Sequence, residues 1–235
     1  MDSDQVATLR ALLANTAWLD QAGLFGRALR TSTKTEGGLL VVGTPAEEPW
    51  HLTAHLDEES RLAGIPELMP TLVRWAPPPG APPHLSVGLS RLEEARRGET
   101  LFVVAEDSAP APLLERVNDA RHTGATIMAL DQGDPELDGL AHEYLSLPAL
   151  PPMSAPGGQS LRDQAAAPSR GGAPWISQSP APGDEIVSRL VSFDSAQHLV
   201  SAAAGTRDRG GSRGGGGVRA RLARILDVVA GTPGT

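Results

Sequence analysis

The chain has 235 residues, enough for one well-buried α/β domain with appendages, since domains usually run to roughly 100–200 residues. It contains no cysteine, which excludes a disulfide framework, a thiolate metal cluster and a cysteine nucleophile. The net charge of −8 is uneven: residues 1–150 carry 11 basic and 22 acidic side chains and residues 151–235 carry 9 and 6, so the larger part repels phosphate backbones and no nucleic-acid partner is expected.

The chain starts with Met1-Asp2-Ser3-Asp4-Gln5, which has neither a basic start nor an apolar run. No apolar run approaches the roughly 18 residues of a membrane span, so a soluble cytoplasmic protein with no membrane partner is expected. Val6, Leu9, Leu12, Leu13, Leu19, Leu24 and Phe25 recur largely at three- and four-residue steps, which predicts one amphipathic helix over 4–29. It lies in an N-terminal segment, 1–35, that packs on the domain.

Gly37-Gly38 breaks that pattern, and residues 39–42 form an apolar strand ending at Gly43. Thr44 is placed to cap a helix over 45–62, with Pro45 in its first turn, Glu47 and Glu48 near its positive end and Gly64 as its stop. Further strands are predicted at 71–75, 85–87, 101–104, 126–130 and 144–147. Helices are predicted at 91–97, 111–122 and 137–141, with a polar turn at 131–135. Strands alternating with helices predict a doubly wound three-layer α/β/α sandwich with a mostly parallel sheet over 36–148.

After Pro148 the composition turns to Pro, Gly, Ser and Ala, and 149–183 reads as a flexible linker. Ile186, Leu190, Phe193, Val200 and Ala203 form one stripe of an amphipathic helix over 184–204, which Asp184 could cap. A Gly/Arg-rich linker follows at 205–217. With three Arg and no interleaved aromatic residue, it suits solvent better than RNA. A last amphipathic helix, 218–230, has a narrow seam of Val218, Leu222, Ile225 and Val229; its short apolar face favours docking on protein over a membrane surface.

The stretch GETLFVVAEDSAPAPLLERVNDARHTGATI, residues 98–127, resembles the core of the sugar isomerase (SIS) domain family: an apolar strand, then Ser-x-Ser-Gly-x-Thr-x-Glu, then a helix. The resemblance extends over about 30–148 and includes the ending Leu137-Asp-Gly-Leu-Ala-His-Glu-Tyr-Leu-Ser-Leu-Pro148. In the family's polar positions stand Ala105, Asp107, Ser108, Pro110 and Pro112. The resemblance implies a phosphosugar-binding scaffold, usually dimeric, whose ligand cleft would be formed here by Gly43, Thr44, Glu106, Asp107 and Ser108.

A phosphate site needs several amides and hydroxyls aimed at one dianion. Asp107 replaces such a hydroxyl, and two unit charges about 4 Å apart at an effective dielectric near 20 repel by roughly 4 kcal/mol. Pro110 removes an amide and a hydroxyl. Weak or absent phosphate binding is expected, with Ser108 serving as a helix cap.

Other candidate sites carry less chemistry. His51 and His55 stand one helical turn apart beside Asp57, Glu58 and Glu59, but Leu52 occupies the place of a zinc-protease glutamate and no third ligand is evident, so no metal is expected. Glu106 and Asp107 could form an acid/base pair at the strand's end, or simply a solvated turn. His84, His122, His142 and His198 show no spacing to a nucleophile. The expected function is a non-catalytic SIS-like binding or regulatory module without a cofactor. It would recognise a carbohydrate derivative weakly and a protein partner through 184–230. A phosphosugar isomerase with an atypical site and a structural adaptor are the alternatives.

Overall fold

The computed structural model describes residues 3–148 and 184–206. The linker expected at 149–183, nearly all of that at 205–217 and the closing helix at 218–230 lie outside the described residues. Five strands form one parallel sheet in the order β2-β1-β3-β4-β5: β1 (Leu39–Val42), β2 (Pro70–Val73), β3 (Thr100–Ala105), β4 (Thr126–Asp131) and β5 (Glu143–Ser146). Every residue of β1 and β3 is buried, as expected for strands covered on both sides.

Alternate residues divide the core into two clusters. Leu39, Val41, Phe102, Val104, Met128 and Leu130 face one helical layer, α1 (Ser3–Leu12), α2 (Ala17–Ser32), α3 (Trp50–Ala63), α7 (Asp184–Leu190) and α8 (Phe193–Gly205). Leu40, Val42, Leu101, Val103, Ile127 and Ala129 face the other, α4 (Ser90–Glu93), α5 (Ala111–His122) and α6 (Pro135–Leu140). The three-layer α/β/α architecture is that predicted from the alternation of strands and helices.

Several boundaries differ from the predicted ones, each for a local reason. The single helix over 4–29 is two: Thr16 Oγ1 donates to the Leu13 carbonyl at 2.8 Å and accepts from the Leu19 amide at 3.3 Å, ending α1 and capping α2. The helix expected from Pro45 begins only at Trp50. Pro49 biases Glu48 away from helical geometry, and Thr44 instead caps a turn by accepting from Glu47 N at 3.3 Å. Its stop is as predicted, with Gly64 at φ 60°.

The strand expected at 85–87 is a 3-10 turn, Pro83–Leu85, because Pro82 and Pro83 offer the ladder no N–H donor. Arg74 makes a single bridge to Gly88. The helix expected over 91–97 is one turn, since Glu99 draws the chain round by accepting from Arg96 N at 3.0 Å and pairing with Arg91 at 2.5 Å.

The segment expected as one helix over 184–204 divides at Ser192, whose Oγ accepts from Ser195 N at 3.1 Å. Its second half is a core element: 11 of the 13 residues of α8 are buried, mainly against α2 and α3. A β-carbon added at Gly26 would stand 2.5 Å from Ala203 Cβ, so α2 and α8 meet at a contact that only glycine allows. Gly26→Ala gains up to about 1 kcal/mol of helix propensity but forces the helices apart at about 1–3 kcal/mol, so urea denaturation should show net destabilisation of up to about 2 kcal/mol. Gly23→Ala on the same helix, with only Arg27 4.0 Å away, should be neutral or stabilising.

Candidate functional site

In an open parallel sheet ordered 2-1-3-4-5, the connections diverge between β1 and β3, leaving a crevice outside their carboxyl ends. Residues following β1, β3 and β4 meet at this edge. Gly43 and Thr44, placed by sequence in the ligand cleft, hold the turn after β1. The Gly43 carbonyl accepts from Trp75 Nε1 at 2.8 Å, and a β-carbon there would collide with the Glu47 carbonyl oxygen. Thr44 is buried, with its hydroxyl engaged by Glu47.

Glu106, Asp107 and Ser108 do come together, lining a shallow cleft of about 210 Å3 with Gln132, Gly133 and Asp134 from the turn after β4. Glu106 accepts from Gln132 Nε2 at 3.2 Å. Ser108 is exposed and does not cap α5; Pro110 occupies the cap position without a side-chain hydrogen bond. Asp107 is exposed, so water brings its repulsion of an anion to about a quarter of the value at an effective dielectric of 20.

The stronger obstacle to phosphate is Asp134, which sequence reading left in a polar turn. Its Oδ2 accepts from the Ala109 amide at 2.7 Å, and its Oδ1 accepts from Glu136 N at 3.0 Å and Leu137 N at 3.2 Å. A carboxylate of the protein itself therefore holds an amide of the loop after β3. Pro112 contributes no N–H, and Leu113 N already donates to the Pro110 carbonyl at 2.8 Å. The signal in sequence was Asp134-Pro135-Glu136, a helix-start pattern with an acid in the first turn; its reach to Ala109 was not visible.

A second cleft of similar size lies between the turn after β1 and the start of α8, lined by Glu47, Glu48, Pro49, Trp50, His51, Asp194 and Gln197. The Arg74 guanidinium lies 4.5 Å from the centre of the Trp50 ring and pairs with Glu48 at 2.9 Å. Glu47 connects the two clefts. Burial, a hydrogen bond with Glu106 and the charges of Glu106, Asp194 and Asp107 hold its carboxyl above the ordinary range.

Two further titratable groupings flank this edge. Asp131 is fully buried, its Oδ1 accepting from Gly133 N at 2.6 Å and Ser146 Oγ at 2.8 Å. Burial, then hydrogen bonding to Asp131, pushes the Asp138 carboxyl up to about 8, so at neutral pH it donates a proton to its neighbour. On the opposite layer the His55 and His198 rings meet edge-on at 4.3 Å, and Asp194 stands 3.6 Å from His198 and 3.7 Å from His51. Burial lowers both His55 and His198, leaving neutral imidazoles near pH 7. Among the described residues no three His, Asp or Glu side chains are grouped to hold a metal ion, and no helix is long and apolar enough to cross a membrane.

The fold is thus that of a doubly wound parallel α/β protein with an acidic carboxyl edge. No family model matches the chain, and no curated protein matches it. Among solved structures it is similar to a protein from Salmonella typhimurium LT2, provisionally described as a sugar binding protein, with 13% identity and a TM-score of 0.46 over 95% of this chain and 53% of that one. It is also similar to a protein from Silicibacter pomeroyi DSS-3, provisionally described as a phosphosugar isomerase, with 13% identity and a TM-score of 0.44 over 97% of this chain and 54% of that one. The chain spans about half the length of these two proteins.

Asp134→Ala removes a helix cap and strands the Ala109 amide, so urea denaturation should register a loss of about 2–4 kcal/mol. The titrating groups give opposite slopes of stability against pH. The lowered histidines contribute stability that is present above their ordinary 6.5 and lost as pH falls through their folded values. Protonated Asp138 contributes stability that is complete below its ordinary 3.8 and is lost as pH rises through about 8. Denaturation between pH 5 and 9, a window spanning roughly both limbs, should show Asp138→Asn flattening the alkaline limb and His198→Gln the acid limb.

Proposed function

We propose that the chain is a non-catalytic binding or regulatory module on an SIS-like scaffold, taking a carbohydrate derivative weakly and without gripping phosphate. The observation that carries this reading is the Asp134 carboxylate on the Ala109 amide, beside Pro110 and Pro112. A loop in which Pro110 and Pro112 have no N–H and the Ala109 amide is held by the chain's own acid offers a dianion fewer hydrogen bonds and an unfavourable field. Hydroxyl groups are still accommodated, because the carboxylates at this edge accept hydrogen bonds from them.

An aldose-ketose isomerase would need a base held against the substrate carbon and a fixed grip on the remainder of the sugar. Glu106 and Asp107 are both exposed and supply no such grip, which favours binding over turnover. Of the span 184–230 assigned to a protein partner, α8 is engaged with the chain's own core, so a partner would meet Ile186 and Leu190, both exposed on α7, or residues beyond 206. A cytoplasmic homodimer remains part of this proposal, from the family resemblance and the sequence.

Calorimetric titration with glucose 6-phosphate should give no saturable binding tighter than about 1 mM. Micromolar affinity, or ketose formation from that compound, would falsify the reading.

A further inference from the structure

Two carboxyl groups meet where β4 ends and α6 begins. Asp131 is fully buried; its Oδ1 accepts from Gly133 N and Ser146 Oγ, but its Oδ2 is buried with no amide or hydroxyl donor among the described residues. Asp138, on α6, has a buried Oδ1 in the same condition and faces Asp131 at hydrogen-bonding range. Two ionised carboxylates have no hydrogen to share: each keeps the full penalty of a buried acceptor without a donor, and their charges repel. One proton between them removes both penalties.

The neighbouring groups supply no substitute for that proton. Asp134, in the turn before α6, adds negative charge, and the Tyr144 phenol from β5 is kept protonated beyond its ordinary range by burial, Asp138 and Asp131. Arg121, the cation that α5 brings to α6, donates to the Gly139 carbonyl at 2.9 Å and the Leu140 carbonyl at 2.7 Å. His142, just past the helix, accepts from the Ile127 amide at 2.9 Å.

Otherwise α6 is lightly held. Of its six residues only Leu137 is buried. Its start is tied by Asp134, whose Oδ1 caps it and whose Oδ2 holds the Ala109 amide. Gly133 and Asp134 form one wall of the cleft after β3 and β4, and Glu106, Asp107 and Ser108 form the other. A short helix with so little buried surface can open while the rest of the fold stays closed.

We propose that the proton shared by Asp131 and Asp138 is a latch that keeps α6 closed on the end of β4, and that its loss opens one wall of this cleft. The two charges then push α6 away, Asp134 moves with it, and the Ala109 amide comes free. The inference goes beyond the binding reading and holds whatever ligand the cleft takes. The Asp138 carboxyl stands at about 8 when closed against an ordinary 3.8 when open, so the latch is fully set below 3.8 and is lost as pH rises through about 8. Between about pH 6 and 8 closure weakens by roughly fiftyfold on those values, and by roughly tenfold once screening at the partly exposed Asp138 is allowed for.

The test is amide hydrogen exchange of the full chain, read residue by residue by NMR between about pH 6 and 8, with and without sub-denaturing urea. After correction for base catalysis, protection of the Ala109 amide should fall about ten- to fiftyfold and should not depend on urea, whereas Val41 and Phe102 should exchange through urea-sensitive unfolding. The carboxyl carbon of Asp138 should titrate with a midpoint near 8. Asp138→Asn keeps an N–H donor for Asp131 without a titrating proton, so its Ala109 protection should stay constant. The parent profile decides the matter even where the variant does not fold. Constant protection of Ala109 in the parent would overturn the latch, as would an equal pH-dependent loss in the variant. Exchange of Ala109 as steeply urea-dependent as that of Val41 would also overturn it, because α6 would then open only when the whole chain unfolds.

Discussion

A parallel sheet with no solvent face obliges the chain to lay helices on both of its sides, and on one side that cover is completed only by α8. Phe193, Ala196, Leu199, Val200 and Ala204 enter the cluster formed by Leu39, Val41, Phe102 and Met128 with α1, α2 and α3. The Gly26–Ala203 contact lets α8 approach close enough to close that layer. Because the same helix starts beside the turn after β1, closing the core also delivers Asp194, Gln197 and His198 to the sheet's carboxyl edge. Core completion and cleft assembly are therefore one packing event.

Carboxylates at that edge divide into two kinds. Asp131 and Asp134 are structural: the first accepts from Gly133 and Ser146, the second joins the loop after β3 to the start of α6. Both oxygens of Asp134 accept from amides, which is how a buried carboxylate is tolerated, whereas Asp131 is engaged through Oδ1 alone and its Oδ2 is buried without such a donor. Glu47, Glu106, Asp107 and Asp194 face the clefts instead, and their mutual repulsion is what raises the Glu47 carboxyl once burial has begun to do so. An edge of this kind favours ligands that bring hydroxyls or positive charge.

The same sheet order accommodates many chemistries, so function rests on the side chains at its edge. Here that edge has prolines and acids at the positions where the family resemblance implies hydroxyls and amides. A second cleft lies on the side where α8 meets the turn after β1.

Periodicity was sufficient for β1, β3, β4 and α5, because a continuous apolar run or a strong helical repeat fixes which atoms leave water whatever the distant chain does. The loop prolines and Asp107 were likewise legible, since the loss of an N–H or the gain of a charge is a property of the residue itself. Helix breaks at Thr16 and Ser192 depended on side-chain hydrogen bonds that compete locally with helix continuation, and the turn at Glu99 depended on its pairing with Arg91 and the Arg96 amide. Asp134 on Ala109, His198 on His55 and Gln197 opposite Trp50 join residues 25 to well over 100 positions apart. Residue pattern determined the layers and the prolines and acids of the loop after β3, whereas only the folded chain decided which polar groups were satisfied, because that depends on neighbours brought together by burying apolar surface.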